Sequence, residues 1–310
     1  MVERPAALGV ARGTGRRRRR PPWWVVYLRR LIALALLAGG LAGGYWVVTT
    51  ALADDDPKPV KVPPARSRPL RIVFPEGFTR EQMAERITAV DAIARRKRKV
   101  DPRLSARVYL RSTGLSQLPS TYANDKKKRP LEGFLFPATY EFLPRTTSPQ
   151  LVRQQLRAFN RNWRKVSLRY SRGKNLTPYD VLIIASMIEK EVIAPKERKL
   201  VSAVIYNRLR ARIPLGIDAT IRYALKVPPT KSLTRSQLRH PTPYNTRIHR
   251  GLVPTPISNP GLASMQAAAR PAAVNYLYFV RKPDKIHHFF TDDYGEFQQY
   301  LRDHGYPTDA

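Results

Sequence analysis

The sequence predicts an α+β fold behind a single N-terminal transmembrane helix, and three observations predict it. Residues 31–53 carry no charged side chain, and a span of about 20 apolar residues crosses the hydrocarbon core of a bilayer. Beyond residue 69, short runs of strand type such as Leu70–Phe74 and Asn275–Val280 are interspersed with longer runs of helical period. The strongest of these, Asp180–Ala194, reads as a buried helix with carboxylates near one end.

Residues 1–30 read as a cytoplasmic basic tail, ending in Arg16–Arg20, Trp23, Trp24, Tyr27, Arg29 and Arg30. The first 53 residues hold nine Arg and one acid, all before the span, and Asp54–Asp56 follow it. The positive-inside rule then places the N-terminus in the cytoplasm and the rest outside, on a single-pass protein of the cell membrane. A cleaved signal peptide is the rival reading, and the length of the span argues against it.

The formal charge is +33, from 56 basic and 23 acidic residues. That balance suggests a polyanionic neighbour: nucleic acid, acidic lipid or an anionic cell wall. Residues 54–310 hold 47 basic and 22 acidic side chains, so most of the charge lies outside the membrane. No nucleic-acid partner is expected, because the basic stretches also lack a recognisable nucleic-acid-binding motif. Cysteine is absent, which excludes disulfides, cysteine nucleophiles and thiolate metal sites.

Residues 54–69 are a Pro-rich charged linker. Residues 70–145 predict a small domain. Leu70–Phe74 is a strand, Pro75–Gly77 a turn, and Thr79 with Gln82 a capping box for a helix through Met83 and Ile87. A second helix is expected from Pro102 to about Arg111, a loop over 118–130, and a partly extended aromatic stretch over 131–142. Strand, two helices and strand in this size suggest a LysM-like subdomain, with a small α+β spacer as the plainer alternative. Residues 146–310 predict a second, mainly helical domain. Its helices are expected over 148–170, from Thr177 as cap, over 195–212, around 221–225, over 261–269 and over 293–304. His288–Thr291 is placed to pair with the strand 275–280, and a long Pro/Gly-rich loop spans 242–261.

Within Asp180–Ala194, Leu182, Ala185, Glu189 and Val192 share one stripe at about 100° per residue. Glu191 lies on the neighbouring stripe, and Ser186 and Lys190 on a more polar side. Glu189 and Glu191 point roughly 160° apart, so they are not a close pair. A carboxylate continuing an apolar stripe is desolvated and holds its proton more tightly, as a general acid needs. A helix end emerging into solvent with two surface glutamates is the plainer alternative.

The residues together resemble the YceG-like endolytic murein transglycosylases. The resemblance is carried by Pro75-Glu76-Gly77, Leu131–Pro137 with Thr139–Phe142, Ala185–Glu191, Glu197-Arg198 and Val204–Leu209. It continues through Asp218–Thr220, Thr242–Thr246, Gly251-Leu252, Pro254, Pro256-Ile257, Pro260–Ser264 and Tyr276–Val280. It implies a LysM-like subdomain followed by a YceG-like catalytic domain, with the first glutamate of Glu-Lys-Glu, Glu189, as the catalytic residue. Gly216 and Ala219 stand where the family often has Gln and Pro, and Asp284–His288 replaces a Gly-Gly-His.

The reaction so implied cuts the β-1,4 bond between N-acetylmuramic acid and N-acetylglucosamine inside nascent glycan strands, leaves 1,6-anhydro ends and terminates elongation. The muramic 6-hydroxyl attacks C1, so one glutamate suffices to protonate the leaving oxygen and then accept the hydroxyl proton. A non-catalytic wall-binding scaffold of the synthesis machinery is the rival. Asp218, Thr220, Tyr244 and Asn245 are the candidate sugar contacts, with helix capping (Asp218) and loop support (Tyr244, Asn245) as alternatives. Glu191 is expected to be structural, Asn207 and Arg208 to form an internal polar network, and Glu197–Arg198 an inter-helix ion pair. No cofactor is expected: there is no phosphate loop, and the five histidines lack metal-ligand spacing. Expected partners are glycan strands, the membrane and peptidoglycan synthases.

Overall fold

The computed structural model describes residues 22–53, 69–118, 121–122 and 127–307. The tail up to residue 21, the linker over 54–68 and the first lysine of the Lys126–Lys128 run lie outside the described residues. The chain divides into two compact units, residues 1–66 and 67–310.

The first unit contains helix α1, Trp23–Ala53. It begins eight residues before the expected span, because Trp23–Arg30 contains no glycine or proline to stop a helix. Trp23–Val47 is long and apolar enough to cross a membrane by length and composition.

The second unit mixes helices with three two-stranded antiparallel sheets. Strand β1, Leu70–Val73, alternates buried and exposed residues. Helix α2, Arg80–Arg98, follows, with the Thr79–Gln82 capping box in place. Helix α3, Ala106–Ser112, starts later than expected because Ser105 takes the cap position. The short strands β2, Ser116–Gln117, just before the expected loop, and β3, Lys128–Arg129, near its end, pair with each other. Strand β4, Thr139–Phe142, then lies antiparallel to β1, with Ile72 opposite Tyr140 and Leu70 opposite Phe142.

Helix α4, Ser148–Trp163, ends before the expected residue 170, and a short helix α5, Arg169–Arg172, takes up the remainder. Helices α6, Pro178–Glu191, and α7, Arg198–Ala211, are joined by a 3₁₀ turn at Pro195–Glu197. Helix α8, Asp218–Leu225, and the unexpected short helix α9, Arg235–Leu238, precede the long loop. Helix α10, Leu262–Ala269, strands β5, Tyr278–Arg281, and β6, His288–Thr291, and helix α11, Tyr294–Asp303, complete the unit.

Two hydrophobic cores result. One is formed by Ile72, Phe74, Met83, Ile87, Tyr109, Leu135, Tyr140 and Phe142. The other surrounds α6. Helix α4 supplies both, with Leu151 and Val152 in the first and Phe159 in the second.

Helix α6 is buried on all sides from Val181 to Ile188, as expected of a core helix rather than an amphipathic one. Full burial of Leu182, Ile184, Met187 and Ile188 contributes about 1.5–3 kcal/mol each. Ser186, expected on a more polar side, is also fully buried. Its hydroxyl donates to Ile183 O and accepts Ile257 N–H at 3.0 Å, while Ser258 Oγ donates to Ser186 O. These bonds pin the long loop to α6.

Gly133 makes the close approach on the other side of that loop. Its φ is +89°, and a Cβ there would lie 2.7 Å from Pro256 Cγ and 3.1 Å from Leu182 Cδ2. Gly133→Ala combines a left-handed backbone with overpacking, so it is expected to cost about 2–4 kcal/mol. Thermal unfolding of residues 67–310 checks this, and an unchanged Tm would refute the tight contact.

Candidate active site

The site lies where α6 leaves the core. Thr177 caps the helix: its Oγ1 accepts Asp180 N–H, and the Asp180 carboxylate accepts Thr177 N–H. With residues 181–188 buried, Glu189 is the first side chain after that run to reach the surface, and it is half-buried. Its Oε2 accepts Gly261 N–H at 2.9 Å, and Gly261 is the N-cap of α10.

A second carboxylate shares this place. Glu76, in the turn after β1, is exposed. A Cβ added to Gly261 would lie only 1.9 Å from Glu76 Oε1, so the bare glycine lets both carboxylates close on one stretch of backbone. Desolvation, then the neighbouring Glu189, raises the Glu76 carboxyl above its ordinary range, and Arg198 pulls it back. Gly77 also abuts Glu189, since a Cβ there would lie 3.5 Å from Glu189 Cγ. Lys190 Nζ donates to Gly77 O at 3.3 Å. Burial lowers the Lys190 ammonium pKa, opposed by the charges of Glu189, Glu132 and Glu191.

The turn and the loop are tied together by Asn259. Gly77 N–H donates to Asn259 O, Asn259 N–H donates to Phe78 O, and Asn259 Oδ1 accepts Gly133 N–H and Leu135 N–H, both at 2.9 Å. Asn259 Nδ2 donates to Phe78 O and, at 2.6 Å, to Glu132 Oε1. Glu132 is fully buried and also accepts Arg80 N–H and the Tyr223 hydroxyl. Burial pushes its pKa up to about 8, against the Arg80 backbone hydrogen bond.

The other expected residues take different places. Asp218 bonds Arg247 Nε at 2.8 Å and keeps an exposed face. It does not cap α8, whose N-cap is Ile217 without a side-chain bond. Thr220 is fully buried, with Oγ1 on Ile217 O and near Thr246 Oγ1. Asn245 is fully buried too. Its amide donates to Leu238 O and His240 O and accepts Arg247 N–H, so it supports the loop. Tyr244 is partly buried, its hydroxyl 2.7 Å from Thr255 Oγ1 and its ring 5.4 Å from that of Tyr223. Gly216 sits at φ +65° against the Arg208 guanidinium.

Glu191 is turned toward α8. Burial raises its carboxyl pKa, while Arg281, the Ala219 backbone hydrogen bond and Arg222 lower it. Asn207 and Arg208 form the expected internal network, bonding the carbonyls of Val274, Tyr276 and Leu277 and of Pro214 and Leu215. The expected Glu197–Arg198 ion pair is absent among the described residues. Glu197 instead accepts His288 N–H and lies 2.6 Å from His288 Nδ1, and the neighbouring Arg198 acts on Glu76. Two residues so close in sequence at a helix start diverge, each toward a different neighbour.

In the sequence, Glu76 stands in the motif Pro75-Glu76-Gly77 with nothing beside it to mark a role. Its partner lies far along the chain, and no periodicity links a turn after β1 to the end of α6.

Residues 46–303 match the model of the YceG-like family. The chain belongs to the YceG-like family. A curated relative from Bacillus subtilis, an endolytic murein transglycosylase, is 32% identical over 217 residues, which is 68% of this chain and 59% of the relative. An endolytic murein transglycosylase of Streptococcus pneumoniae is 32% identical over 228 residues, covering 67% of this chain and 40% of the relative. This YceG-like chain therefore spans less than two thirds of the length of either relative. A solved YceG-like protein from Listeria monocytogenes superposes with a TM-score of 0.63 at 30% identity, over 74% of this chain and 75% of the other.

Proposed function

We propose that this YceG-like protein is an endolytic peptidoglycan lytic transglycosylase with Glu189 as its catalytic acid and base. One observation carries the reading. A half-buried carboxylate directly follows the buried run 181–188 in the last turn of α6 and accepts the backbone N–H of Gly261, in a chain whose relatives are named for this activity.

The steps balance without water. Glu189 gives its proton to the glycosidic oxygen as the bond from C1 of N-acetylmuramic acid breaks. The 6-hydroxyl oxygen of the same sugar then bonds to C1, and its proton passes to the Glu189 carboxylate. The products are a 1,6-anhydro end and a shortened strand, and the cut terminates elongation.

Asp218 and Tyr244, with their accessible faces, contact the strand directly. Thr220 and Asn245 act through the backbone they hold. Helix α1 anchors the chain in the cell membrane with the N-terminus inside, which brings residues 54–310 to nascent strands and their synthases. The antiparallel β1–β4 pair with α2 and α3 between supports residues 70–145 as a LysM-like subdomain and residues 146–310 as the catalytic domain.

Mass spectrometry of fragments released from uncrosslinked peptidoglycan tests the reading. Ends in 1,6-anhydro-N-acetylmuramic acid are expected. Reducing ends would mean a hydrolase, and binding without cleavage would mean a scaffold.

A further inference from the structure

We propose that Glu76 is a positioning residue for the acid step: it meets Glu189 at the Gly261 backbone, so that the two carboxylates hold one proton between them and Glu189 is kept ready to donate it. This inference rests on the lyase reading above.

The geometry is specific. Glu189 Oε2 takes the Gly261 N–H, and the space that a side chain at position 261 would fill is occupied by the Glu76 carboxylate. Two carboxylates forced onto one residue repel when both are ionised, and the pair then releases its second proton at higher pH than either would alone. The Asn259 bonds to Gly77 and Phe78 fix the turn that carries Glu76. The other charged groups facing the pair are Arg198, which favours ionised Glu76, and Lys190, beside Glu189. Neither forms an ion pair with the two carboxylates among the described residues. Arg198 Nε is buried without a protein partner, and Lys190 Nζ donates to Gly77 O. Repulsion within the pair is therefore not cancelled by a direct salt bridge.

The sign follows. Two ionised carboxylates at one place repel, so the pair holds its last proton to higher pH than a lone carboxylate would. Replacing Glu76 by an amide removes that repulsion, so the alkaline side of the activity profile moves downward. A purely structural role would lower activity at every pH alike.

The test measures release of anhydro-ended fragments from uncrosslinked glycan strands against pH, using the full chain in detergent micelles. Wild type, Glu76→Gln, Glu76→Asp and Gly261→Ala are compared. Glu76→Gln is expected to move the alkaline limb down by about one pH unit, with a roughly tenfold loss at neutral pH and near-normal rates on the acid side. Glu76→Asp, which keeps the charge, leaves the alkaline limb near its wild-type position. Gly261→Ala displaces the Glu76 carboxylate while keeping the N–H on Glu189, and it reproduces the shift. An unchanged limb in Glu76→Gln, or a uniform loss at all pH values, overturns the proposal even if wild type makes anhydro ends. Absence of anhydro ends from wild type instead overturns the lyase reading itself.

Discussion

Glu189→Gln is expected to lower release of anhydro-ended fragments by about 10³-fold or more at every pH. The amide has no proton to give to a leaving oxygen and no basic site for the 6-hydroxyl proton. Its carbonyl can still accept Gly261 N–H, as the wild-type Oε2 does at 2.9 Å. The fold should therefore persist, with stability within about 0.5 kcal/mol of wild type. Mass spectrometry beside circular dichroism reads both quantities. A variant that still released anhydro ends at wild-type rate would remove Glu189 from the mechanism. Full loss at all pH values also separates this residue from Glu76, whose replacement moves a limb of the profile.

The second large effect concerns Glu132, a buried carboxylate that makes no contact with the surface. Its pKa, ordinarily 4.5, is pushed to about 8 by burial. Below the lower value both folded and unfolded chains hold the proton, and its stabilising contribution is fully present. Between about 4.5 and about 8 the unfolded chain loses the proton first, so stability falls as pH rises, by up to about 1.4 kcal/mol per pH unit.

Glu132→Gln is expected to abolish that slope, since the amide is neutral at all pH values. It keeps an acceptor for Arg80 N–H and Asn259 Nδ2, and can donate to the Tyr223 oxygen. It should unfold later than wild type near pH 8. Glu132→Ala leaves those donors unpaired inside the core and is expected to cost about 2–4 kcal/mol. Because Asn259 also ties the Glu76 turn to the loop that leads to Gly261, activity should fall with it. Melting curves from pH 5 to pH 8 decide: parallel slopes for wild type and Glu132→Gln would refute the raised pKa.

Much of the fold is legible in the sequence because its signals are local. Thr79 and Gln82, and Thr177 with Pro178, are caps readable within one turn of chain, and the structure has both. Leu70–Phe74 reads as a strand and 131–142 as partly extended, and the structure pairs Leu70–Val73 with Thr139–Phe142, each with alternate residues buried. The stripe reading of Asp180–Ala194 places Glu189 on an apolar stripe, and in the structure it is half-buried just beyond the buried run. It misjudges Ser186, because its pattern does not show that the long loop covers the side of the helix on which Ser186 lies. The helix α9 and the strands β2 and β3 are missed because four- and two-residue elements carry too little periodicity to register.

By itself the sequence determined the apolar N-terminal helix, the α+β class, the main caps and Glu189 in the last turn of the central helix. Composition, capping and hydrophobic period act over a few residues, and the chain carries them wherever it folds. The tertiary structure alone decided what stands beside that glutamate. Glu76 reaches it through a turn, Asn259 fixes the turn to the loop, and Gly261 leaves room for both carboxylates. It also turned Thr220 and Asn245 inward and sent Glu197 to His288. Such partners are set by packing between segments far apart in the chain, where local pattern has no reach.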